Sequence, residues 1–408
     1  MKAPGLVSHD DTAWVSCNDL MLPAMARSVN SGSMVRARRV RRTRPTIRGS
    51  AERTCHGDVG TPRRAVQLVA VSCRVSCRRL LLPALFVLGA VSPSLLAGCR
   101  SGHKPPVLQP GEPAVPRGRT ATLRVQTRHN GAAHVVTFDL EEYVRLTVGA
   151  EIVVSTRDAA WAQRIYEVQA IVARTYALAN IGRHAEEGFD LCSTTHCQLL
   201  PDRAHPTRSD DVIAAAVETT RGLVIAHDGR PIRALFHAHC GGHTSDADQI
   251  WPGPAVPYLR GVRDPFCLRE RPARWTFRLS SARLTRDLDG SPRTRVDGRI
   301  DGFQVVERDP AGRVRMVALT GRRNGLVRGE ELRSVVMQAE GPTSLRSPRY
   351  TVRRDGDTFV FDGQGFGHGA GLCQTGMMGR IKAGHTPNDV LTYYFHGSRI
   401  VRLDRLTS

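Results

Sequence analysis

Apolar positions recur with two different periods in the part of the chain that follows residue 117. Between residues 121 and 137, apolar and polar residues alternate on both sides of a turn, which predicts a β-hairpin. Over residues 158–181, apolar residues recur every three or four positions, which predicts a helix with one buried face. Thr156 or Asp158 can cap its start, and Gly182 can end it.

The remaining pattern adds a few short elements to this hairpin and helix. It predicts a second helix at 210–220, a second hairpin from strands at 223–226 and 232–236, and a short helix at 388–394. Residues 275–360 read as short strands separated by turns. Strands and helices are segregated rather than alternating, so we predict an α+β fold, a helical core with β-hairpins plus a β-rich inserted subdomain at about 275–360.

Residues 78–99 have the layout of an export signal. Arg78 and Arg79 precede an apolar run that is too short to span a bilayer, and the small residues before Cys99 resemble a lipobox. We therefore expect residues 78–98 to be a lipoprotein signal peptide, Cys99 to be lipidated, and 99–116 to be a tether. An ordinary secreted protein cleaved nearby is the alternative. Either way the chain is exported to the cell envelope or periplasm.

The residues before this signal have a different composition from the rest. Residues 1–98 carry 15 Lys and Arg against 5 Asp and Glu, which is half of the net charge of +20. We interpret 1–77 as the result of a start codon assigned too far upstream, or as a disordered basic extension. The remaining positive charge suits a polyanionic partner, but no nucleic-acid-binding motif is found, and we expect no nucleic acid.

Two strings combine glycine or histidine with other polar residues. Residues 363–374 have glycine at nearly every second position around one His and one Gln, and this spacing does not match a phosphate-binding loop. Residues 236–244 hold His237, His239 and His243, which permit either a metal site or a polar loop that lines a substrate.

These strings, taken with others in the same order, resemble the SpoIID/LytB family over residues 117–402. The matching segments are 142–144 with 148–151, 169–177, 190–198, 240–244, 365–374 and 393–397. The resemblance implies a peptidoglycan lytic transglycosylase or an amidase enhancer, and roles in sporulation or cell division. It also implies that Glu151 is the catalytic acid. Residue chemistry alone favours the alternative, an exposed glutamate at the start of a helix that serves only as a cap partner.

One carboxyl is enough for the implied reaction, which is cleavage of the MurNAc–GlcNAc bond with a 1,6-anhydro-MurNAc product. Glycosidases that use water normally need two carboxylates, whereas here the C6 hydroxyl of the sugar attacks. Glu151 would act first as acid and then as base, which requires a raised pKa in an apolar pocket. No cofactor is needed for this chemistry.

The same resemblance implies the partners of the protein and the residues that bind the glycan. Denuded glycan strands are the expected partner, with a cell-wall amidase as a second partner and the membrane contacted through the lipid anchor. The sequence departs from the family at Ile152-Val153, where Met-Pro is usual, and at Cys373, where Ser is usual. The candidate substrate-binding residues are Gly241, Gly242, Thr244, His368, Gly369 and Gln374.

A loop that follows the long helix combines two histidines with two cysteines. His184, Cys192, His196 and Cys197 suit a tetrahedral zinc ion, whereas an exported protein favours a disulfide between the two cysteines. Family members described with zinc in this loop favour one structural Zn²⁺. The sequence leaves the state of Cys240, Cys267 and Cys373 open.

Overall fold

The computed structural model describes residues 121–129, 132–201, 210–270 and 272–406, which all belong to one compact unit. The N-terminal extension, the predicted signal peptide, Cys99 and the tether lie outside the described residues. Among the described residues, no helix is both long and apolar enough to cross a membrane.

The chain begins with the expected hairpin. Strands β1 (Thr122–His129) and β2 (Ala132–Asp139) are antiparallel, with Thr122 opposite Asp139. Asn130 and Gly131, at the tip, lie outside the described residues. Strand β3 (Leu191–Cys192) pairs parallel to β1, which brings the cysteine-containing loop to this sheet.

Three helices pack against one another, and the first of them also contacts this sheet. They are α1 (Leu140–Glu151), α2 (Ala159–Ala179) and α3 (Asp210–Thr219). The sequence pattern did not predict α1. Helix α2 starts as expected, since the Asp158 carboxylate accepts the N–H of Trp161 at 3.0 Å, but it ends at Ala179, before Gly182. The amide of Asn180 caps it by donating to Tyr176 O at 2.8 Å.

The second hairpin is shorter than the pattern predicted. Strands β4 (Leu223–His227) and β5 (Arg230–Pro231) pair across Asp228-Gly229, and both turn residues have positive φ. The expected strand at 232–236 does not extend this hairpin. Instead, β6 (Phe236–His237) pairs parallel to a strand more than 130 residues later, so a long-range contact overrides the local alternation.

Residues 274–364 build a second hydrophobic core from two three-stranded antiparallel sheets and two helices. The elements are β7 (Arg274–Ser280), α6 (Ser281–Asp289), β8 (Gly302–Arg308), β9 (Val314–Thr320), β10 (Gly325–Arg328), α7 (Gly329–Glu340), β11 (Tyr350–Asp355) and β12 (Thr358–Gln364). The sequence pattern predicted only strands here. It did not reveal α6 and α7 because each buries only a few apolar residues among many charged ones.

The remaining elements return to the main core. They are α4 (Ala247–Ile250), α5 (Pro265–Arg269), β13 (Leu372–Cys373), α8 (Gln374–Lys382), α9 (Pro387–Tyr394) and β14 (Arg399–Arg402). Strand β13 pairs with β6, and β14 pairs with β4. The predicted helix at 388–394 is present as α9, with Thr386 and Asp389 forming a capping box. Helices and small sheets coexist as expected, which confirms the α+β class.

Candidate active site

Glu151 is the last residue of α1, half-buried at the point where the chain leaves the helix. It is therefore not an exposed cap partner at the start of a helix. Helix α1 is fixed to α2 by a buried ion pair in which Arg174 Nε and Nη2 donate to the two carboxylate oxygens of Glu141, at 2.9 and 2.6 Å. Because this bidentate contact is directional, it sets the orientation of α1 and therefore the position of Glu151.

The Glu151 carboxyl group has an environment that favours its protonated form. Burial raises the pKa of Glu151 to about 7, although the N–H of Leu199 donates to Oε1 at 2.6 Å and opposes this shift. A carboxyl with this pKa is partly protonated near neutral pH. It can therefore give up a proton and take one back in the same range.

Two neutral tyrosines lie near this carboxyl, Tyr143 on α1 and Tyr176 on α2. Burial raises the pKa of Tyr143 well above its ordinary value, and its hydroxyl donates to Gln198 Oε1 at 3.0 Å. Burial likewise raises the pKa of Tyr176. Both phenols remain uncharged near neutral pH, so they add no negative charge beside the Glu151 carboxyl.

Gln374 is the candidate substrate residue that contacts Glu151. Its Nε2 lies 3.3 Å from Glu151 O and 3.3 Å from Gln169 Oε1. Gln374 begins α8, so this contact joins the glycine-rich string to the end of α1. Gln169 was not singled out from the sequence, although one fully buried amide within the apolar face of α2 was an available signal.

The loop before Leu199 brings together the four residues proposed to bind a metal, which we call the loop cluster: His184, Cys192, His196 and Cys197. Their ligand atoms all lie within 4.8 Å of one another, so the cluster could hold a metal ion. Both cysteines are free thiols rather than a disulfide. A hydrogen bond with Cys197, and further contacts with His196 and Thr194, lower the pKa of the Cys192 thiol.

The distances in the loop cluster fit tetrahedral zinc. Bonds of about 2.3 Å to sulfur and 2.0 Å to nitrogen would hold these ligands about 3.5 Å apart. Cys197 Sγ lies 3.4 Å from His184 Nε2, and His196 Nδ1 lies 3.7 Å from both sulfurs. The other His184 nitrogen, Nδ1, lies 2.8 Å from Glu187 Oε1. Histidine ligands of metals are commonly oriented by such a contact with a carboxylate.

Three other candidate substrate residues form hydrogen bonds with other residues of the protein. Thr244 is buried, and its hydroxyl accepts the N–H of Val262 at 2.8 Å. Gly242 O accepts the N–H of Asp264 at 2.8 Å, and Arg349 donates to Gly241 O. Their roles in binding a glycan stay predictions.

His368 and Gly369 are packed in the same way. The His368 ring lies 5.0 Å from that of Trp251, its Nδ1 accepts the N–H of Ala370 at 3.1 Å, and burial lowers its pKa to about 3. This imidazole is neutral near pH 7. Gly369 has φ of 93°, and a Cβ there would overlap the guanidinium of Arg313, so glycine is needed for a contact inside the protein.

Comparison with known proteins shows similarity to stage II sporulation proteins. A family model described as stage II sporulation protein matches residues 128–227, which include Glu151 and the loop cluster. Stage II sporulation protein D of Bacillus subtilis is 26% identical over 65% of this chain and 75% of its own length. Stage II sporulation protein D of Bacillus amyloliquefaciens is 25% identical over 81% of this chain and 94% of its own length. The chain is therefore similar to proteins of the SpoIID/LytB family.

Two further similarities were found. The amidase enhancer of Bacillus subtilis is 24% identical over 59% of this chain but only 38% of its own length. A second family model, described as a domain of unknown function, matches residues 268–371, nearly the same residues as the second hydrophobic core. These similarities support a cell-wall-related role for an envelope-associated protein.

Proposed function

We propose that this protein is a lytic transglycosylase that cleaves the MurNAc–GlcNAc bond of peptidoglycan glycan strands. The observation that carries the proposal is the half-buried Glu151 carboxyl with a pKa of about 7, held by the N–H of Leu199. The family assignment points to the same residue, since the match to stage II sporulation proteins includes it.

The reaction uses Glu151 twice. Protonated Glu151 donates its proton to the glycosidic oxygen, the C1–O4 bond breaks, and the GlcNAc end leaves as an alcohol. The MurNAc C6 hydroxyl then attacks C1 and loses its proton to the Glu151 carboxylate, which forms the 1,6-anhydro ring and restores the acid. A carboxyl with a pKa near the working pH suits both steps.

In this proposal the loop cluster is a structural zinc site that stabilises the loop next to Glu151. His184, Cys192, His196 and Cys197 would hold Zn²⁺, which cross-links the loop and supplies no step of the reaction. Leu199 lies two residues after Cys197, so a rigid loop keeps its N–H aimed at the Glu151 carboxylate.

The test is digestion of denuded glycan by the wild type and by Glu151→Gln, with products identified by mass spectrometry. We expect anhydro-muramyl ends from the wild type and a loss of about 10²- to 10⁴-fold in Glu151→Gln. Glu142→Gln is the matched control, because Glu142 is an exposed glutamate of the same helix. Wild-type protein that binds glycan but releases no anhydro product contradicts the proposal.

A second function is favoured by the similarity to an amidase enhancer. In that case the protein binds glycan strands and stimulates a cell-wall amidase without cleaving the glycan itself. Glu151→Gln would then keep full stimulation of the amidase. Loss of anhydro products together with retained stimulation would assign both activities to the protein.

We propose that the protein is located in the cell envelope. The signal peptide, residues 78–98, is removed by cleavage before Cys99, and a lipid on Cys99 then anchors the protein to the membrane. Mass spectrometry of the mature N-terminus would detect diacylglycerol on Cys99, and Cys99→Ser would release the protein from membranes. Cleavage elsewhere without a lipid would indicate the ordinary secreted form instead.

A further inference from the structure

Three cysteines and one aspartate meet in the interior of the protein, away from the loop cluster. Cys240, Asp264, Cys267 and Cys373 have no exposed surface, and their three sulfurs and a carboxylate oxygen all lie within 4.8 Å of one another. We call these four residues the buried cluster. All three cysteines are free thiols.

The four residues come from three separate parts of the chain. Cys240 precedes the Gly241-Gly242 pair, Asp264 and Cys267 lie at the start of α5, and Cys373 ends β13 and caps α8. The pairing of β6 with β13 and the contact of α5 with α8 bring them together. The convergence is therefore set by the fold and not by a local sequence motif.

The geometry of the buried cluster fits a tetrahedral metal site. In a tetrahedral site, zinc bonds of about 2.3 Å to sulfur and 2.0 Å to oxygen hold a sulfur ligand and an oxygen ligand about 3.5 Å apart. Cys240 Sγ and Asp264 Oδ2 lie 3.5 Å apart. The same carboxylate oxygen accepts the hydroxyl of Tyr394 at 2.7 Å, a contact that orients the carboxylate as outer contacts do at metal sites.

The sulfurs also have the hydrogen-bond donors that thiolate ligands need. Cys373 Sγ accepts the N–H of Cys240 at 3.2 Å and that of Gly376 at 3.4 Å. Cys240 Sγ accepts the N–H of Gly242 at 3.3 Å. Hydrogen bonds to a charged acceptor are stronger than those to a neutral one, so these contacts favour thiolates.

Two buried cations lie next to this group. Arg380 Nη2 is 4.0 Å from Asp264 Oδ1, and Arg313 Nη2 donates to Cys240 O at 2.7 Å. Both side chains are almost fully buried, at 6% and 2% exposure. A zinc ion bound by three thiolates and one carboxylate keeps a net negative charge, and burying that charge requires nearby positive groups such as these.

We propose that Cys240, Asp264, Cys267 and Cys373 bind one Zn²⁺ ion, in addition to the zinc proposed for the loop cluster. A disulfide can use only two of the three sulfurs and would leave the third beside a buried carboxylate. Cuprous copper prefers soft ligands alone, whereas zinc accepts thiolates together with a carboxylate oxygen. Binding releases the thiol protons to solvent.

This ion would join the 240–244 string to the glycine-rich string, which contacts Glu151 through Gln374. It fixes Cys240 to Cys373, and Cys373 immediately precedes Gln374, whose amide donates to Glu151 O. The buried zinc is thus a structural ion that positions Gln374, and it takes no part in the reaction.

The experiment measures metal binding by the full chain in a Cys192→Ser, Cys197→Ser background, which removes the thiolates of the loop cluster. Reduced, metal-free protein is titrated with Zn²⁺ and with Co²⁺, and metal content is measured after gel filtration. We expect one tight zinc per chain, and a Co²⁺ spectrum with tetrahedral d–d bands and thiolate charge transfer.

Further variants in the same background locate the ion. Cys373→Ser should weaken zinc binding by about 10- to 100-fold or more, whereas Glu142→Gln, at an exposed carboxylate outside the cluster, should leave it unchanged. Asp264→Asn keeps all three thiolates and should shift the d–d bands of Co²⁺. If Cys373→Ser fails to fold by circular dichroism, the Co²⁺ spectra of the background and of Asp264→Asn still decide the question.

Three results would overturn the proposal. They are zinc binding that is the same with and without Cys373, copper in place of zinc in the purified protein, and a disulfide between any two of the three cysteines. The disulfide is detected by alkylation in denaturant without reductant, followed by mass spectrometry.

Discussion

The loop cluster and the buried cluster use similar ligands but are built differently. The loop cluster takes its four residues from one stretch of 14 residues, and its histidines are partly exposed. The buried cluster takes its residues from positions 240 to 373, and all of them are buried. The first therefore follows from local spacing, and the second exists only once distant segments have packed.

Each cluster also leads to a different contact of Glu151. Leu199, just after the loop cluster, donates to the carboxylate, whereas Gln374, just after Cys373, donates to the backbone carbonyl. We therefore expect the loop cluster to influence the proton chemistry of Glu151. The buried cluster should influence only where the residue lies.

The largest expected effect concerns Glu151 itself, where the two regions meet. Its folded pKa of about 7 lies above that of an unfolded glutamate, so wild-type stability falls as pH rises from about 4.5 to above 7. Glu151→Gln keeps an acceptor for the Leu199 N–H and carries no charge. Above pH 7 it should therefore be more stable than the wild type, by at most about 3 kcal/mol.

Urea unfolding at pH 4.5 and pH 8 measures this difference. The gain should be present at pH 8 and nearly absent at pH 4.5, and Glu142→Gln should show no such dependence. An equal gain at both values would mean that the effect does not come from ionisation of Glu151.

The second prediction separates the clusters by their effect on pH dependence. In Cys192→Ser, Cys197→Ser the loop loosens, and the Leu199 N–H contact, which lowers the pKa of Glu151, weakens. Glycan cleavage should fall about 10- to 100-fold. The pH above which activity declines should also move upward, because the acid form then persists to higher pH.

Full pH–rate profiles with glycan substrate measure both effects. Thr195→Ala, at an exposed position of the same loop, is the control and should match the wild type. Cys373→Ser should lower activity without moving the profile. A shift of equal size in both cluster variants would remove the distinction between the two regions.

The smallest expected effect is that of Gln374→Leu. It removes the hydrogen bonds to Glu151 O and Gln169 Oε1, which should cost about 1 kcal/mol of stability. Activity should drop moderately, with no change in the pH dependence, because the carboxylate keeps its own contact with Leu199. Gln163→Leu is the control, since it removes a partly exposed contact with Glu167.

Thermal and urea unfolding give the stability change for both glutamine variants. A shift of the pH–rate profile in Gln374→Leu would show that the backbone contact also controls the proton of Glu151. In that case the contact on the side of the buried cluster would influence the proton chemistry of Glu151 as well as its position.

The local pattern predicted much of the fold but not all of its pairings. The β1–β2 hairpin, α2, α3 and α9 follow from residue periodicity and capping, so their positions were expected within a few residues. Helices α1, α6 and α7 were not predicted, and β6 pairs with β13 and not with β4. Such pairings depend on contacts across the whole chain, which period-two alternation does not specify.

The sequence by itself determined the α+β class and the resemblance to the SpoIID/LytB family. It also determined the four residues of the loop cluster, because their spacing is local. It also named Glu151, through the family strings. Only the tertiary structure decided that Glu151 ends a helix in a half-buried setting, which sets its pKa. Only the tertiary structure brought Asp264 to Cys240, Cys267 and Cys373, because desolvation and long-range convergence arise when distant segments pack together.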